Sequence, residues 1–190
     1  MIVDELKYFN LDNLLFEGEK SISKKFNKDG FLNAEDFFCI LIWKANRAKS
    51  KHANRLLKLN PSKDLETICI ELTKSIFQAH SDEERFRILR SKTYKFMLPT
   101  TSAILAVYNP DKFSIYDYRA CDILKEFRDF SQINSWEEYN EFNDAVNTQV
   151  KQYERLRDKD RYLWGKSFHN ELIEGLKNNF KNQSSEDKIM

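Results

Sequence analysis

The chain contains no glycine between Gly30 and Gly165, and only four glycines in all. Proteins that bind nucleotides through a P-loop or a dinucleotide-binding loop need several closely spaced glycines, because the backbone there must approach a phosphate. No stretch of this sequence supplies such a loop. The glycine gap therefore excludes the nucleotide-binding folds that depend on one.

The composition is that of a globular protein. Its 190 residues, 41% of them apolar, are enough to form one buried core. The longest apolar run, at 37–43, is much shorter than the roughly 20 residues that a membrane helix needs. Asp4 and Glu5 lie where a secretory signal would carry positive charge. We therefore expect a soluble, cytoplasmic monomer, with no membrane contact and no protein partner indicated.

Cysteine and histidine give no metal-binding pattern. Cys39, Cys69 and Cys121 form no CxxC pair, and three such widely separated thiols are typical of a reducing compartment. The three histidines show neither HxxxH nor HExxH spacing. The sequence accordingly predicts no disulfide, no metal site and no cofactor.

Apolar residues recur at helical spacing along almost the whole chain, and Asn, Asp, Ser and Pro stand between the runs. This pattern predicts an all-α fold with one domain over 1–181, about seven or eight helices and a polar tail over 182–190. Two lobes around a cleft are one possible arrangement. The predicted helices are 34–58 with a break near 43–47, 61–80, 81–93 with a Ser81–Glu84 capping box, 99–108, 117–130, one capped by Ser135, and a long last helix.

The net charge of +1 hides an uneven distribution. Residues 44–63 carry seven Lys and Arg and no acid, and residues 85–95 carry five and no acid. The rest of the chain is therefore strongly acidic. Two acid-free segments favour a surface that meets a polyanion such as DNA, although each could also be an ordinary solvated helix face.

The segment 83–120 combines these basic residues with a tight turn between two helices, an extended stretch FSIY at 113–116, and Asp117 at a helix start. In this order of features the chain resembles the helix-hairpin-helix DNA glycosylases, especially the 8-oxoguanine glycosylase-like branch, over about 30–175. The resemblance implies a double-stranded DNA partner and assigns the catalytic aspartate to Asp117. The helix pair over 37–57 resembles the part of these enzymes that lines the base pocket.

The remaining site residues are assigned on this resemblance and on the charge pattern. The expected DNA-binding residues are Lys44, Arg47, Lys51, Lys92, Lys95 and Arg119. The expected base-pocket residues are Trp43, Asn46, Tyr116 and Tyr118. An enzyme that acts on a base must extrude it from the stack, and needs cationic groups for the backbone and aromatic walls for the base.

Two features depart from the family pattern. The hairpin glycines are replaced, at about Lys95 and Met97. Pro99 stands where bifunctional members carry a nucleophilic lysine, so no imine with the sugar can form there. The resemblance therefore implies a monofunctional enzyme, which hydrolyses the N-glycosidic bond of a damaged or modified base and leaves the strand intact.

Two other functions are compatible with the same residues. A DNA-binding module of this fold could recognise DNA structure without removing a base, and Asp117 would then be only a helix N-cap. An all-α interaction protein could use its basic faces for an acidic protein partner. Salt dependence separates these alternatives, because DNA binding weakens steeply with salt in proportion to the phosphates contacted.

Overall fold

The computed structural model describes residues 5–128, 135–178 and 180. These residues form helices joined by short turns, with no strand among them, so the predicted all-α class is confirmed. The α-helices are α1 (Leu11–Phe16), α2 (Ile22–Asp29), α3 (Ala34–Ala45), α4 (Lys49–Leu59), α5 (Leu65–Gln78), α6 (Asp82–Arg90), α7 (Leu98–Tyr108), α8 (Tyr118–Ile123), α9 (Trp136–Gln149) and α10 (Leu156–Lys177).

Most of these helices begin at a polar side chain that accepts a backbone N–H bond. Asn33 caps α3, and Ser135 forms the full capping box of α9 with Glu138. Pro99 lies in the first turn of α7, where its missing N–H costs nothing. The predicted starts of these three helices are therefore correct.

Other predicted bounds were wrong. The helix placed at 61–80 begins after Asp64, whose side chain accepts the Thr67 N–H. Ser81 does cap α6, but the Glu84 carboxylate accepts the N–H of His80, so no Ser81–Glu84 box forms. The helix ends at Arg90 because Ser91 leaves the helical region.

Two predicted helices are divided. The helix predicted over 34–58 is broken by a 3-10 turn at Asn46–Ala48, close to the predicted break. The helix predicted to start after Asp117 ends at Ile123 and is followed by a 3-10 turn at Lys125–Phe127. Its predicted end at 130 and the predicted tail over 182–190 lie outside the described residues.

Helix α7 forms the centre of the core. All of its residues from Thr100 to Val107 are buried, and α2, α3 and α6 pack around it. Helix α10 packs on α8 and α9, and most of its residues after Ser167 are exposed. The buried apolar side chains, apart from Ala79, belong to one hydrophobic cluster. None of the helices in the described part of the chain combines the length and apolarity needed to cross a bilayer.

A tight turn over 91–97 joins α6 to α7. Lys95 adopts a positive φ of 53° there, and its N–H donates to the Ser91 carbonyl at 2.8 Å. A left-handed backbone favours glycine and costs another residue about 1 kcal/mol. Lys95 thus occupies a conformation typical of glycine, at one of the two places where the resemblance expects one.

Candidate active site

A cleft of about 510 Å³ lies between the end of α3, the extended segment 113–116, the start of α8 and the first turns of α10, with α1 at one side. Its volume is in the range of pockets that hold small organic ligands. Three acidic and three basic side chains line it: Asp12, Asp117, Asp160, Lys44, Arg157 and Arg161. The other lining residues are Trp43, Ile115, Ala120 and Trp164.

The extended segment is held in place by side chains from three helices. The N–H of Ser114 donates to Asn143 Oδ1 at 2.8 Å, that of Ile115 to Asp160 Oδ2 at 3.2 Å, and that of Tyr116 to Ser102 Oγ at 2.9 Å. All three bonds are buried, and buried backbone donors without a partner are costly. These bonds therefore fix the chain immediately before Asp117.

Asp117 is both a helix cap and a cleft residue. Its Oδ1 accepts the Arg119 N–H at 3.0 Å and so caps α8, while its Oδ2 accepts from Lys44 Nζ at 2.5 Å. Its side chain keeps 24% of its surface exposed. The carboxylate is thus oriented by two donors and still reaches the cleft.

Lys44 does not lie on the open surface, where the charge pattern placed it. Its side chain is 8% exposed and forms an ion pair with Asp117 inside the cleft. The last turn of α3 carries it there, beside Trp43. A buried ammonium needs a paired charge, and Asp117 is that partner. The burial of the Lys44 side chain therefore argues against the predicted contact with the DNA backbone on an open surface.

Three further charged residues meet beside this pair: Arg157, Asp12 and Asp160. The Arg157 guanidinium lies 4.4 Å from the ring centre of Phe16 and 5.3 Å from that of Trp43. It forms ion pairs with Asp12 and, at 3.7 Å, with Asp160. Cation–π contacts and paired charges together compensate the desolvation of a buried guanidinium. Arg157 thereby joins α1 and α3 to the first turns of α10.

Asp160 is the most buried acid of the cleft, with 4% of its side chain exposed. Burial raises its pKa to about 7, although Arg157, the Ile115 amide, the nearby Ser114 hydroxyl and Lys44 all favour the ionised form. Its Oδ1 has no hydrogen-bond partner among the described residues. The carboxyl group therefore changes its charge near neutral pH.

The sequence reasoning missed Asp12, Arg157, Asp160 and Arg161 as cleft residues. One signal was available for Asp160, because it lies at helical spacing among buried residues of α10: Leu156, Leu163 and Ser167. An acid on such a face is unusual and marks either a structural pair or a functional group. Asp12 had no comparable signal, since its partners are 145 and 149 positions away.

Of four aromatic residues near the cleft, two line it, one is exposed outside the lining and one lies in the core. Trp43 and Trp164 line the cleft, and Trp164 is 49% exposed. Tyr118 is exposed and is not part of the lining. Tyr116 is completely buried and donates through its hydroxyl to the Phe127 carbonyl at 2.7 Å. The expectation that Tyr116 faces the base pocket is therefore wrong, because the extended segment turns this side chain into the core.

Two other predicted residues lie outside the cleft. Asn46 is exposed in the 3-10 turn, where its Oδ1 accepts from Lys49 Nζ at 2.8 Å. The Arg119 side chain is 12% exposed, forms an ion pair with Glu171 at 2.7 Å and lies over three aromatic rings: Tyr118, Trp164 and Phe168. A guanidinium packed in this way stabilises the α8–α10 contact, so a free phosphate contact by Arg119 is not favoured.

The two acid-free segments are neighbours in the fold. Phe96, at the end of the α6–α7 turn, lies 5.5 Å from the His52 ring and 5.2 Å from the Arg55 guanidinium on α4. Four predicted DNA-binding residues on these segments are exposed: Arg47, Lys51, Lys92 and Lys95. Burial lowers the pKa of His52 to about 4, so His52 adds no charge near neutral pH.

Comparisons with protein-family models, with curated proteins and with solved structures found no match for this chain. Within residues 5–128, 135–178 and 180, no group of three or more His, Cys, Asp or Glu side chains is arranged to hold a metal ion.

Proposed function

We propose that this protein binds double-stranded DNA and hydrolyses the N-glycosidic bond of a damaged or modified base. The observation that carries the proposal is the Asp117–Lys44 pair, in which Asp117 Oδ2 and Lys44 Nζ are 2.5 Å apart. The pair lies in a cleft that is also lined by Trp43 of α3 and Trp164 of α10. Departure of a base leaves positive charge on the sugar, and a fixed carboxylate stabilises that charge. Trp43 and Trp164 offer the flat apolar surfaces that an extruded base requires.

Lys44 has two tasks in this proposal. It fixes one oxygen of Asp117, so the carboxylate does not rotate away as charge develops. An ammonium has three N–H donors, and the bond to Asp117 leaves capacity for water or for a phosphate oxygen of the bound nucleotide. Lys44 would therefore orient the Asp117 carboxylate and also the water or phosphate oxygen that binds beside it.

The neighbouring basic segments supply the binding surface in this proposal. Three lysines of these segments are exposed and form no ion pair with another described residue: Lys51, Lys92 and Lys95. Their positive charges can therefore interact with DNA phosphates. Phe96 and His52 bring the two segments together. Binding should weaken steeply as salt rises, because each neutralised phosphate releases counterions.

A binding module without catalysis is the second candidate. The observation in its favour is that the Asp117–Lys44 ion pair also satisfies both charges internally and caps α8. In that case the pair has a structural role and the cleft only receives an extruded or distorted nucleotide.

The deciding experiment uses duplexes that each carry one damaged or modified base, followed by alkali to cleave any abasic site. Asp117→Asn should slow base release by about 10² to 10⁴, the usual effect of a positioned acid or base, while leaving DNA affinity unchanged or slightly higher. Asp111→Asn is the matched control, because Asp111 is an exposed acid of the same segment outside the cleft.

Stability must be measured on the same variants. Asp117→Asn leaves the Lys44 ammonium without its partner, which costs about 3 kcal/mol for a buried pair. The double variant Lys44→Met/Asp117→Asn removes both charges and avoids this imbalance. Base release at the wild-type rate by a folded Asp117 variant would reduce Asp117 to a helix cap and favour the binding module.

A further inference from the structure

The proposed function gives a task to only one of the three acids of the cleft, Asp117. Asp12 forms ion pairs with Arg157 and Arg161, which leaves Asp160 as the buried acid to be explained. It lies 43 positions after Asp117 in the chain, yet both line the same space. Its Oδ2 accepts the Ile115 N–H at 3.2 Å, whereas neither its Oδ1 nor the nearby Ser114 Oγ has a hydrogen-bond partner among the described residues, although the Ser114 hydroxyl lies close enough to favour the ionised carboxylate. Buried polar atoms without a partner are rare in folded proteins, and a catalytic role is one recognised reason for them.

Many charged or titratable groups surround Asp160, and they come from every element packed against it. Arg157 precedes it by one turn of α10, and Asp12 reaches it across Arg157 from α1. Lys44 approaches from α3, Asp117 and the Ser114 hydroxyl from the extended chain, and Tyr139 from α9. Burial raises the pKa of Tyr139 well above its ordinary value, so Tyr139 stays protonated and neutral. Asp160 is thus placed where positive neighbours only partly offset its desolvation.

Base removal requires a proton that Asp117 does not provide. When the C1′–N bond breaks, the electron pair goes to the base nitrogen, and a neutral base leaves slowly unless that nitrogen is protonated. Asp117 acts as an ionised carboxylate on the sugar side. A second acid in the same cleft could supply this proton if it is protonated before the reaction. Sugar hydrolysis uses two acids in the same way, one acting on the sugar and one donating a proton to the leaving group.

We propose that Asp160 is this second acid: in its protonated form it donates to the departing base, and its carboxylate then takes a proton from the attacking water. The inference rests on the proposed function. The step is balanced, because the C1′–N bond breaks, water supplies the hydroxyl to C1′, and the second water proton restores Asp160. The products are a free base and an abasic sugar.

Protonation at neutral pH follows from the burial of Asp160. Its pKa of about 7 leaves about half of the molecules with a proton on this carboxyl at pH 7. The protonated fraction falls tenfold for each pH unit above that value. The rate of release of a neutral base should fall in the same way.

The test compares two leaving groups in one duplex sequence under single-turnover conditions. One duplex carries 8-oxoguanine as a neutral base, and the other carries N7-methylguanine, which is cationic and leaves without protonation. The wild-type protein should release the neutral base with a rate that falls above about pH 7, and the cationic base with a rate that does not. These two pH profiles decide the question even where a variant fails to fold.

The variants supply the second readout. Asp160→Asn should slow release of the neutral base by about 10² to 10⁴ and release of the cationic base by less than about tenfold. Asp160→Glu should regain part of the loss. Glu174→Gln, an exposed position on the same helix and outside the cleft lining, is the matched control.

Each other outcome overturns the inference in a recognisable way. Equal losses for both bases in Asp160→Asn, with an unchanged pH profile, would make Asp160 structural while base removal stands. Release of the cationic base alone would show that the cleft provides no proton donor. Release of neither base, nor of any other base in the duplex panel, would reject the proposed function itself.

Discussion

We expect that replacing Asp160 with asparagine removes a pH-dependent part of the free energy of unfolding. Burial raises the pKa of this carboxyl from 3.8 to about 7 in the folded protein. The folded state therefore binds the proton more tightly than the unfolded state between these values. The resulting contribution to stability is complete below about pH 4 and is lost as pH rises through 7.

The magnitude follows from the size of the shift. About three pH units at roughly 1.4 kcal/mol each give about 4 kcal/mol over the whole range. Between pH 5 and pH 8 the same relation gives about 2 to 3 kcal/mol. Asparagine has nearly the same shape and can still accept the Ile115 N–H, so the comparison mainly removes the titrating group.

The pKa shift of His52 changes the unfolding free energy with pH in the opposite direction, so its contribution must be separated from that of Asp160. Burial lowers its pKa from 6.5 to about 4, so the stability that His52 contributes is present above pH 6.5 and is lost as pH falls toward 4. His52 is common to the wild-type protein and the variant, and its contribution cancels in their difference. The difference between the two unfolding free energies, and not either one alone, is the quantity to compare.

Urea unfolding followed by tryptophan fluorescence measures this difference at pH 5, 6, 7 and 8. The wild-type value minus the Asp160→Asn value should fall by about 2 to 3 kcal/mol across the series. A difference that changes by less than about 0.5 kcal/mol would show that Asp160 is ionised throughout and is adequately stabilised by Arg157. That result would refute the reasoning from burial.

The remaining predictions concern the amine of the cleft and one buried hydrogen bond. Borohydride should trap no covalent adduct with substrate DNA, because Pro99 has no amine and the Lys44 Nζ is bonded to the Asp117 carboxylate. Trapping that disappears in Lys44→Arg would show that Lys44 forms an imine. Thr73→Val should lower the unfolding free energy by about 1–3 kcal/mol, since Thr73 Oγ1 accepts the buried Leu32 N–H at 2.8 Å. The exposed Thr93→Val is its control, with a change of about 0.5 kcal/mol or less expected in the same urea experiment.

Local sequence determined the helices and several of their ends. Asn33, Ser135 and Pro99 act within one turn of their own positions, and each starts the helix that it predicted. The same local logic identified Asp117 as a helix start. The bounds that were wrong, near Pro61 and Thr93, depend on a competing cap at Asp64 and on the turn into α7.

Tertiary packing decided which side chains share the cleft. Lys44 and Asp117 are 73 positions apart, and their ion pair depends on how α3 meets the start of α8. The charge pattern identified Lys44 as basic, but not that it lies inside the fold. Tyr116 and Tyr118 are separated by one residue, yet one is in the core and the other is exposed.

The sequence by itself determined the all-α class, the basic segments and the position of Asp117 at the start of a helix, because these properties arise from residues within a few turns of one another. The tertiary structure alone decided that Asp117 meets Lys44 and that Asp160 lies buried in the same cleft. Those arrangements join residues from α1, α3, α8 and α10. The burial that raises the pKa of Asp160 exists only after these helices have packed, and no local pattern encodes it.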